Sequence, residues 1–227
     1  MKSELESAVE ILSTRLAERQ EGCSPATVIE LGAHHGNDTA VLYGACKLPP
    51  LYIAVEADPR NIPVLTRRLL GLRVNVIHAA LWDSCGDIPF HLCEGNANAS
   101  SSAREPLEHL KHFPWIPFQA KVLVPALTLD AIADAYQIEH IDLIWSDIQG
   151  AERNMIAGGR RALSRTSWLL TECDRVEMYA GQATRDELLG ILGPDWELVA
   201  EWPANANLLL RNRRLALADR RVIGEAE

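Results

Sequence analysis

The sequence lacks the features that would place the protein in a membrane or in an oxidising compartment. No run of apolar residues approaches the roughly 18 residues that a transmembrane helix requires. The first 21 residues are amphipathic and charged throughout, without the apolar segment of a signal peptide. The five cysteines are scattered and make no CxxC pair, a pattern typical of reduced thiols. We therefore expect a cytoplasmic protein without membrane association.

An excess of positive charge is also missing. The chain has 31 acidic against 22 basic residues, and its net charge is -9. Because an acidic surface repels phosphate backbones, nucleic acid is not expected as a partner. The one basic cluster, in segments 211–214 and 220–221, is interpreted as a solvated tail. These observations favour a small-molecule substrate, and they leave a homodimer open.

Two phosphate-binding motifs are absent at the first predicted strand-to-helix turn. The stretch VIELGAHHGNDT, residues 28–39, has two glycines four residues apart in place of GxGxxG, and no Walker Lys-Ser/Thr pair follows. The ligand of this turn should therefore lack a pyrophosphate. Gly32 would let the backbone approach a ligand, and Glu30 would either bind an ammonium group or anchor the turn. The alternatives are a purely structural turn, or a metal site at His34 and His35.

The pattern of apolar residues predicts one α/β domain over residues 1–227. Helical spacing marks an opening helix over residues 4–21, within an N-terminal extension of residues 1–25. Short apolar strands then alternate with helices, which is typical of a mostly parallel sheet covered on both faces. The last two strands lie too close in sequence for a parallel crossover, so they should form a hairpin. We expect a doubly wound, Rossmann-like sheet of seven strands, one of them antiparallel.

Residues 84–120 interrupt this alternation. The segment is rich in glycine, proline, asparagine and serine, and it is predicted to be mostly loop. One strand is expected at residues 88–93 and one short helix near residues 105–111. Further along the chain, a single helix is predicted over residues 151–163.

Acidic residues follow several predicted strands, at the sheet edge where such folds bind ligands. Glu56 ends the second strand, about 20 residues beyond the glycine turn, which suits an acid that binds ribose hydroxyls. Asp147 follows the strand at residues 141–146 and should face the cleft, with a helix N-cap as the alternative. Glu172 ends the next strand, and a structural ion pair is its alternative role.

Three segments together resemble the FkbM-type S-adenosylmethionine-dependent methyltransferases. Residues 28–39 resemble the family's first motif, and YIAVEADPRNIPVL, residues 52–65, resembles its second-strand segment. IDLIWSDIQGAERNMIAGG, residues 141–159, resembles its most diagnostic stretch, Asp-x-x-Gly-Ala-Glu after an apolar strand. A Thr-Leu-Asp element at residues 128–130 also fits, and the resemblance covers residues 27–175 in the family's order.

The resemblance implies S-adenosylmethionine as the cofactor and methyl transfer to a hydroxyl group of a sugar or another secondary metabolite. It implies that Asp147 orients or deprotonates the hydroxyl group, with His35 and Glu172 as further catalytic candidates. A divalent metal held by Asp147, Glu172 and Asp174 is conceivable but not favoured. The implied cofactor-binding residues are Glu30, Gly32, Ala33, His34, Gly36, Asp38, Thr39, Glu56, Ala57, Ala80, Leu81 and Asp147.

The chain departs from the family pattern at two positions. His34 stands where relatives often have asparagine, and Ser146 stands where a lysine commonly precedes the motif aspartate. Both departures bear on the acceptor, and residues 84–120 are expected to form the acceptor side of the site. Two rival functions stay open: a nicotinamide-dependent oxidoreductase or epimerase, and a non-catalytic module that binds the cofactor. The pair His109 and His112 lacks a third ligand and is not expected to bind zinc.

Overall fold

The computed structural model describes residues 5, 6, 9, 10, 13, 25–204 and 206–215, except for the side chains of residues 95–97. Its strands are β1 (Thr27–Leu31), β2 (Leu51–Glu56), β3 (Val74–His78), β4 (Ala80–Leu81), β5 (Gly86–Cys93), β6 (Phe118–Leu127), β7 (Ile141–Ser146), β8 (Thr166–Glu172), β9 (Trp196–Trp202) and β10 (Asn207–Asn212). From residue 25 onward the α-helices are α1 (Asn37–Gly44), α2 (Ile62–Arg68), α3 (His109–His112), α4 (Leu129–Ala135), α5 (Glu152–Ala157), α6 (Arg160–Ser164) and α7 (Arg185–Leu192).

Seven strands form one sheet in the order β3-β2-β1-β7-β8-β10-β9. Strand β1 pairs in parallel with β2 on one side and with β7 on the other, so the strand order reverses between β1 and β7. Strand β10 runs antiparallel to both β8 and β9. The predicted fold, a doubly wound sheet with one antiparallel strand and a closing hairpin, is confirmed. The ligand site is therefore expected beyond the carboxyl ends of β1 and β7.

Both faces of the large sheet are buried, which explains why its central strands read as continuous apolar runs. Alternate residues of β1 enter different core clusters: Ile29 and Leu31 pack on one face, and Val28 packs on the other. Leu5 and Val9 of the opening segment pack against the second cluster.

The described residues 5, 6, 9, 10 and 13 are helical, as the opening-helix prediction requires. The rest of that predicted helix, up to residue 21, lies outside the described residues. In the described part of the chain, no helix combines the length and the apolar character that crossing a membrane requires.

The segment at residues 84–120 is more ordered than its composition predicts. Strand β5 begins at Gly86 and pairs with the long strand β6. Together with β4 they form a second sheet in the order β4-β6-β5. The segment also contains a short 3-10 helix, Gly95–Ser100, and helix α3. Proline is tolerated at Pro89 because β5 is an edge strand, where a backbone N–H is not needed on the outer side.

The single helix predicted over residues 151–163 is wrong, because α5 and α6 are separated at Gly158 and Gly159. A Cβ atom on Gly158 would lie 2.4 Å from the carbonyl oxygen of Trp82. A Cβ atom on Gly159 would lie 2.8 Å from the side chain of Leu129. Close packing of this glycine pair against other segments breaks the helix, and sequence periodicity does not report such contacts.

The turn after β1 is held tightly against β2 and β7. The backbone N–H groups of Gly32 and Ala33 both donate to the carbonyl of Val55, each at 2.9 Å. Gly32 has φ of 88°, and a Cβ atom there would lie 1.8 Å from the carbonyl oxygen of Asp147. Only glycine allows this approach, since any other residue would be both strained and in collision.

Gly32→Ala should therefore destabilise the protein strongly. Its matched control is Gly71→Ala, because Gly71 has a similar φ of 92° but no neighbouring atom within 4 Å of an added Cβ. We expect Gly32→Ala to lower the free energy of unfolding by roughly 1–3 kcal/mol more than the control does, as overpacking usually costs. Urea unfolding measures both values. Equal losses in the two variants would mean that the contact with Asp147 does not constrain the fold.

Glu30 lies beneath this turn with its carboxylate fully enclosed. The carboxylate accepts hydrogen bonds from the hydroxyl groups of Thr39 at 2.6 Å and Tyr52 at 2.7 Å. The side chain is 1% exposed, and burial raises the pKa of Glu30 from 4.5 to about 8 despite these two donors. Glu30 thus links β1, β2 and α1 as a buried acid.

The raised pKa predicts a pH dependence of stability. Folding disfavours the ionised form of Glu30, so its contribution to stability falls as the pH rises from 4.5 towards 8. Glu30→Gln removes this loss. The unfolding free energy of the variant minus that of the native protein should therefore increase as the pH rises, by at most about 1.4 kcal/mol per pH unit. Denaturant titrations between pH 6 and pH 9 measure the difference. The control Glu187→Gln, at an exposed carboxylate with a lowered pKa, should give a constant difference in this range. A constant difference for Glu30→Gln as well would contradict the prediction.

Candidate active site

A cleft opens beyond the carboxyl ends of β1, β2 and β7, at the reversal of strand order. Its volume is about 150 Å³. The 3-10 helix Gly95–Ser100 contributes Asn98 and Ala99 to one side, and strand β5 contributes Phe90. Of the residues predicted to bind the cofactor, the following line the cleft: Gly32, Ala33, His34, Asp38, Glu56, Ala57, Ala80, Leu81 and Asp147.

Glu56 is held at the tip of β2 by three donors. Its carboxylate accepts the backbone N–H of His34 at 2.7 Å, the backbone N–H of Asp58 at 2.7 Å and Nδ2 of Asn61 at 3.2 Å. The side chain is 6% exposed, and burial raises the pKa of Glu56 against the opposing effect of these hydrogen bonds. A carboxylate oxygen has more than one acceptor site, so Glu56 can still accept from a hydroxyl group in the cleft.

The two histidines of the turn have different surroundings although their rings stack at 3.8 Å. His34 lines the cleft, and its Nε2 lies 2.8 Å from Oδ1 of Asn98. His35 is not part of the cleft lining, and its Nε2 lies 3.1 Å from Oδ1 of Asn61. Burial, followed by the neighbouring His34, lowers the pKa of His35. The ring of His35 bonds to Asn61, which in turn bonds to Glu56, and a catalytic role of His35 stays a prediction.

An apolar slot forms the part of the cleft beyond Glu56. Ala80 and Leu81 of β4 are buried, and Phe90 of β5 belongs to the same apolar cluster as Ala80. Ile148 contributes from the turn after β7. These apolar residues provide the kind of surface against which a heteroaromatic ring packs.

Asp147 belongs to a cluster of carboxyl groups bridged by one amide. Nε2 of Gln149 donates to Oδ1 of Asp147 at 2.6 Å and to Oε2 of Glu172 at 2.9 Å. Asp147 and Gln149 line the cleft, whereas Glu172 lies behind Gln149 and is not part of the wall. Burial, followed by the charge of Asp147, raises the pKa of Glu172 well above its usual range. Asp147 is therefore the carboxylate of this pair that lines the cleft, and the direct catalytic role of Glu172 stays a prediction.

The cleft is acidic. Among the described residues, its lining includes Asp38, Glu56 and Asp147 but no lysine or arginine. Burial raises the pKa of Asp38, and Nε1 of Trp145 donates to its carboxylate at 3.3 Å. Such a lining suits a cationic or neutral ligand and disfavours a pyrophosphate.

Three residues predicted to bind the cofactor do not line the cleft. Glu30 and Thr39 bond to each other beneath the turn, so Glu30 is placed to anchor the turn and not to reach an ammonium group. Gly36 precedes α1 with φ of 78°, and a Cβ atom there would lie 2.9 Å from the side chain of Leu65. Gly36 thus serves the packing of α1 against α2.

The structure also bears on metal binding. Among the residues that it describes, no group of three or more His, Cys, Asp or Glu side chains is arranged to hold a metal ion. His109 is 4% exposed and packs among the rings of Phe113, Phe118 and Tyr179.

Several residues of the site were not singled out from the sequence. Asn61 accepts from His35 and Asn98 and donates to Glu56. The hydroxyl group of Tyr179 lies 2.8 Å from Oε1 of Gln149. Asn61 is part of the segment that resembles the family's second motif, so a signal for it existed. Asn98 lies in the 3-10 helix of residues 84–120, the segment expected on the acceptor side. Tyr179 comes from an irregular segment, and only the tertiary structure brings it to the site.

Comparison with known proteins identifies relatives of this chain. The family model of the methyltransferase FkbM domain matches residues 30–202. A curated relative, the 2-O-methyltransferase NoeI of Sinorhizobium fredii, is 33% identical over 196 residues, which cover 83% of this chain and 80% of the relative.

Two solved structures share the fold. The methyltransferase FkbM of Methylobacillus flagellatus KT has a TM-score of 0.54 at 20% identity, over 82% of this chain and 43% of that chain. Monomeric WbdD has a TM-score of 0.50 at 12% identity, over 91% of this chain and 41% of that chain. The chain thus spans less than half of either solved chain, and these likenesses concern the fold alone. With the match to the family model over most of its length and the identity to the curated relative, the chain belongs to the FkbM methyltransferase family.

Proposed function

We propose that this protein transfers a methyl group from S-adenosylmethionine to a hydroxyl group of a neutral, carbohydrate-like acceptor. The observation that carries the proposal is the cleft itself, where acidic side chains and an apolar slot meet without any lysine or arginine among the described lining residues. A sulfonium cofactor is cationic at sulfur and carries an ammonium group, so it complements this lining.

The residues of the cleft fit the parts of the cofactor. Glu56, already fixed by three donors, would accept from the ribose hydroxyls. Ala80, Leu81 and Phe90 would enclose the adenine ring. Asp38 at the start of α1 would bind the ammonium group, which is the role that the sequence offered to Glu30.

Asp147 is proposed to act on the acceptor. The bound cofactor supplies an electrophilic methyl group on a positively charged sulfur. Asp147 faces the cleft, and as a carboxylate it would accept the proton that the acceptor hydroxyl group loses. Closure of the cleft by Phe90 and the 3-10 helix Gly95–Ser100 would exclude water and keep the hydroxyl group in place.

The nature of the acceptor follows from the same lining and from the relative. An acidic cleft disfavours phosphorylated or otherwise anionic acceptors. The relative NoeI is a 2-O-methyltransferase, so the 2-hydroxyl group of a sugar is the acceptor position that we propose to test first. A nicotinamide-dependent oxidoreductase would need a site for pyrophosphate, which neither the glycine spacing nor the charge of the cleft provides.

Cofactor binding gives the first test. Calorimetric titration should give saturable binding of S-adenosylhomocysteine and S-adenosylmethionine and none of NADH. Glu56→Gln should weaken binding of S-adenosylhomocysteine by about 10- to 100-fold, because one hydrogen bond to a charged group is lost. Glu139→Gln, at an exposed carboxylate that precedes β7, is the control and should bind as the native protein does. Micromolar binding of NADH without any response to the sulfonium cofactor would refute the proposal.

Turnover gives the second test. Methyl glycosides of common hexoses and 6-deoxyhexoses, each with its 2-deoxy analogue, are offered as acceptors, and S-adenosylhomocysteine is quantified by mass spectrometry. At least one glycoside should react and its 2-deoxy analogue should not. Asp147→Asn should lower kcat on that glycoside by about 10²- to 10⁴-fold, as loss of a general base does. Unchanged kcat in Asp147→Asn would remove Asp147 from the mechanism, and cofactor binding without turnover on any glycoside would favour the non-catalytic module.

A further inference from the structure

The side chain of Gln149 occupies a point where three parts of the fold meet. Its Nε2 lies 2.6 Å from Oδ1 of Asp147 and 2.9 Å from Oε2 of Glu172. Its Oε1 lies 2.8 Å from the hydroxyl oxygen of Tyr179. One amide therefore spans the cleft-facing carboxylate, the carboxyl group behind it, and a buried phenol from the segment after β8.

The orientation of this amide is dictated by its neighbours. An amide oxygen 2.6 Å from the Asp147 carboxylate would be repelled, so the nitrogen must face the two carboxyl groups. The oxygen then needs a donor, and the hydroxyl group of Tyr179, at 2.8 Å, supplies it. The same hydroxyl group lies 3.0 Å from the carbonyl oxygen of Ser100, which is the longer of its two contacts. Tyr179 is 2% exposed, and burial raises the pKa of its hydroxyl group, which keeps it protonated and able to donate.

The backbone around Gln149 is shaped for the same contact. Gln149 has φ of 51°, a value that non-glycine residues rarely adopt, and Gly150 follows with φ of 90°. A Cβ atom on Gly150 would lie 3.0–3.1 Å from atoms of the Tyr179 side chain, so a glycine lets the phenol ring approach. The hydroxyl group of Ser102 donates to the carbonyl oxygen of Gln149 at 2.6 Å. Backbone strain held in place by neighbours is characteristic of functional positions.

The charged groups around the carboxyl pair make a donor necessary. Besides Asp147, the groups that act on Glu172 are Asp174, which follows β8, and Glu152 of α5. Asp38 of α1 also lies within electrostatic range of Asp147. All of these groups are acidic. Without a donor between them, the two carboxyl groups would titrate as a coupled pair, and no hydrogen bond would favour the charged form of either one.

We propose that Gln149, oriented by the hydroxyl group of Tyr179, is the positioning residue that keeps Asp147 facing the cleft as the charged member of a carboxyl pair with Glu172. Tyr179 donates to the amide oxygen, the amide nitrogen donates to both carboxyl groups, and Glu172 behind it retains the shared proton. The burial of Glu172 and the adjacent charge of Asp147 both raise the pKa of Glu172, in agreement with this distribution of the proton. This assignment rests on the proposed function in one respect, which is the role of Asp147 as the base.

The test measures the carboxyl pair directly and needs no acceptor. In protein labelled with ¹³C at the aspartate and glutamate carboxyl carbons, Asp147→Asn and Glu172→Gln identify the two resonances. Titration of the native protein should show the pair losing its protons in two separate steps. In Tyr179→Phe and in Gln149→Met, the acidic step should move to higher pH by about one unit, because a hydrogen bond that favours the charged form is lost.

Controls separate positioning from loss of structure. Tyr179→Phe keeps the ring that packs against His109 and Phe118. Tyr43→Phe is the matched control, since its hydroxyl group also makes a hydrogen bond, to the N–H of Arg73, but away from the cleft. Tyr43→Phe should leave the titration unchanged. Binding of S-adenosylhomocysteine within about threefold of the native value establishes that each variant is folded.

The outcomes decide between the two proposals. An unchanged titration in either Tyr179→Phe or Gln149→Met overturns the role of the Tyr179–Gln149 pair, whatever the enzyme methylates. A shifted titration in both variants supports that role even if no glycoside is methylated, in which case only the proposed function fails. Where a glycoside reacts, the acidic limb of its kcat/KM profile should shift in the same direction in both variants, whereas a purely structural role would lower the rate without moving the limb.

Discussion

The approach of the Gly32 turn to the carbonyl oxygen of Asp147 is the contact on which the rest of the site depends. Strands β1 and β7 are neighbours in the sheet but distant in the chain, and the turns that follow them would collide if residue 32 had a side chain. Because the turns can touch, the backbone of the first motif and the carboxylate of the later motif border the same cleft. The close packing at Gly32 is thus a condition for the residues of both motifs to border one cleft.

Buried acids are the second theme of this structure. Glu30 anchors the turn from below, Glu56 ends β2 and Glu172 lies behind the cleft, and burial raises the pKa of each. They differ in their donors: hydroxyl groups for Glu30, backbone N–H groups and an amide for Glu56, and one shared amide for Glu172. Acids of the same chemical type thus have different roles, because the surrounding donors decide which oxygen remains available to a ligand.

The predictable part of the fold followed from local patterns. Strand β7 has the predicted bounds, residues 141–146, because its apolar run and flanking turns are local properties. The split between α5 and α6 escaped prediction since it arises from contacts of Gly158 and Gly159 with remote atoms. The strand expected at residues 88–93 is present as β5, but its pairing with β6 in a second sheet was not predicted. Glycine and proline indicate loops on average, whereas an edge strand accommodates both.

For the site, the family and the acidic or glycine positions at the strand ends could be predicted from local motifs. A parallel sheet brings these positions to one edge regardless of the orientation of their side chains. The tertiary structure decided which of them face the cleft. Glu56 and His34 line the cleft whereas Glu30 and His35 do not, and Tyr179, one partner of Gln149, comes from a segment with no regular pattern. Side-chain direction at a turn depends on contacts between distant segments, and a sequence read along its length does not contain that information.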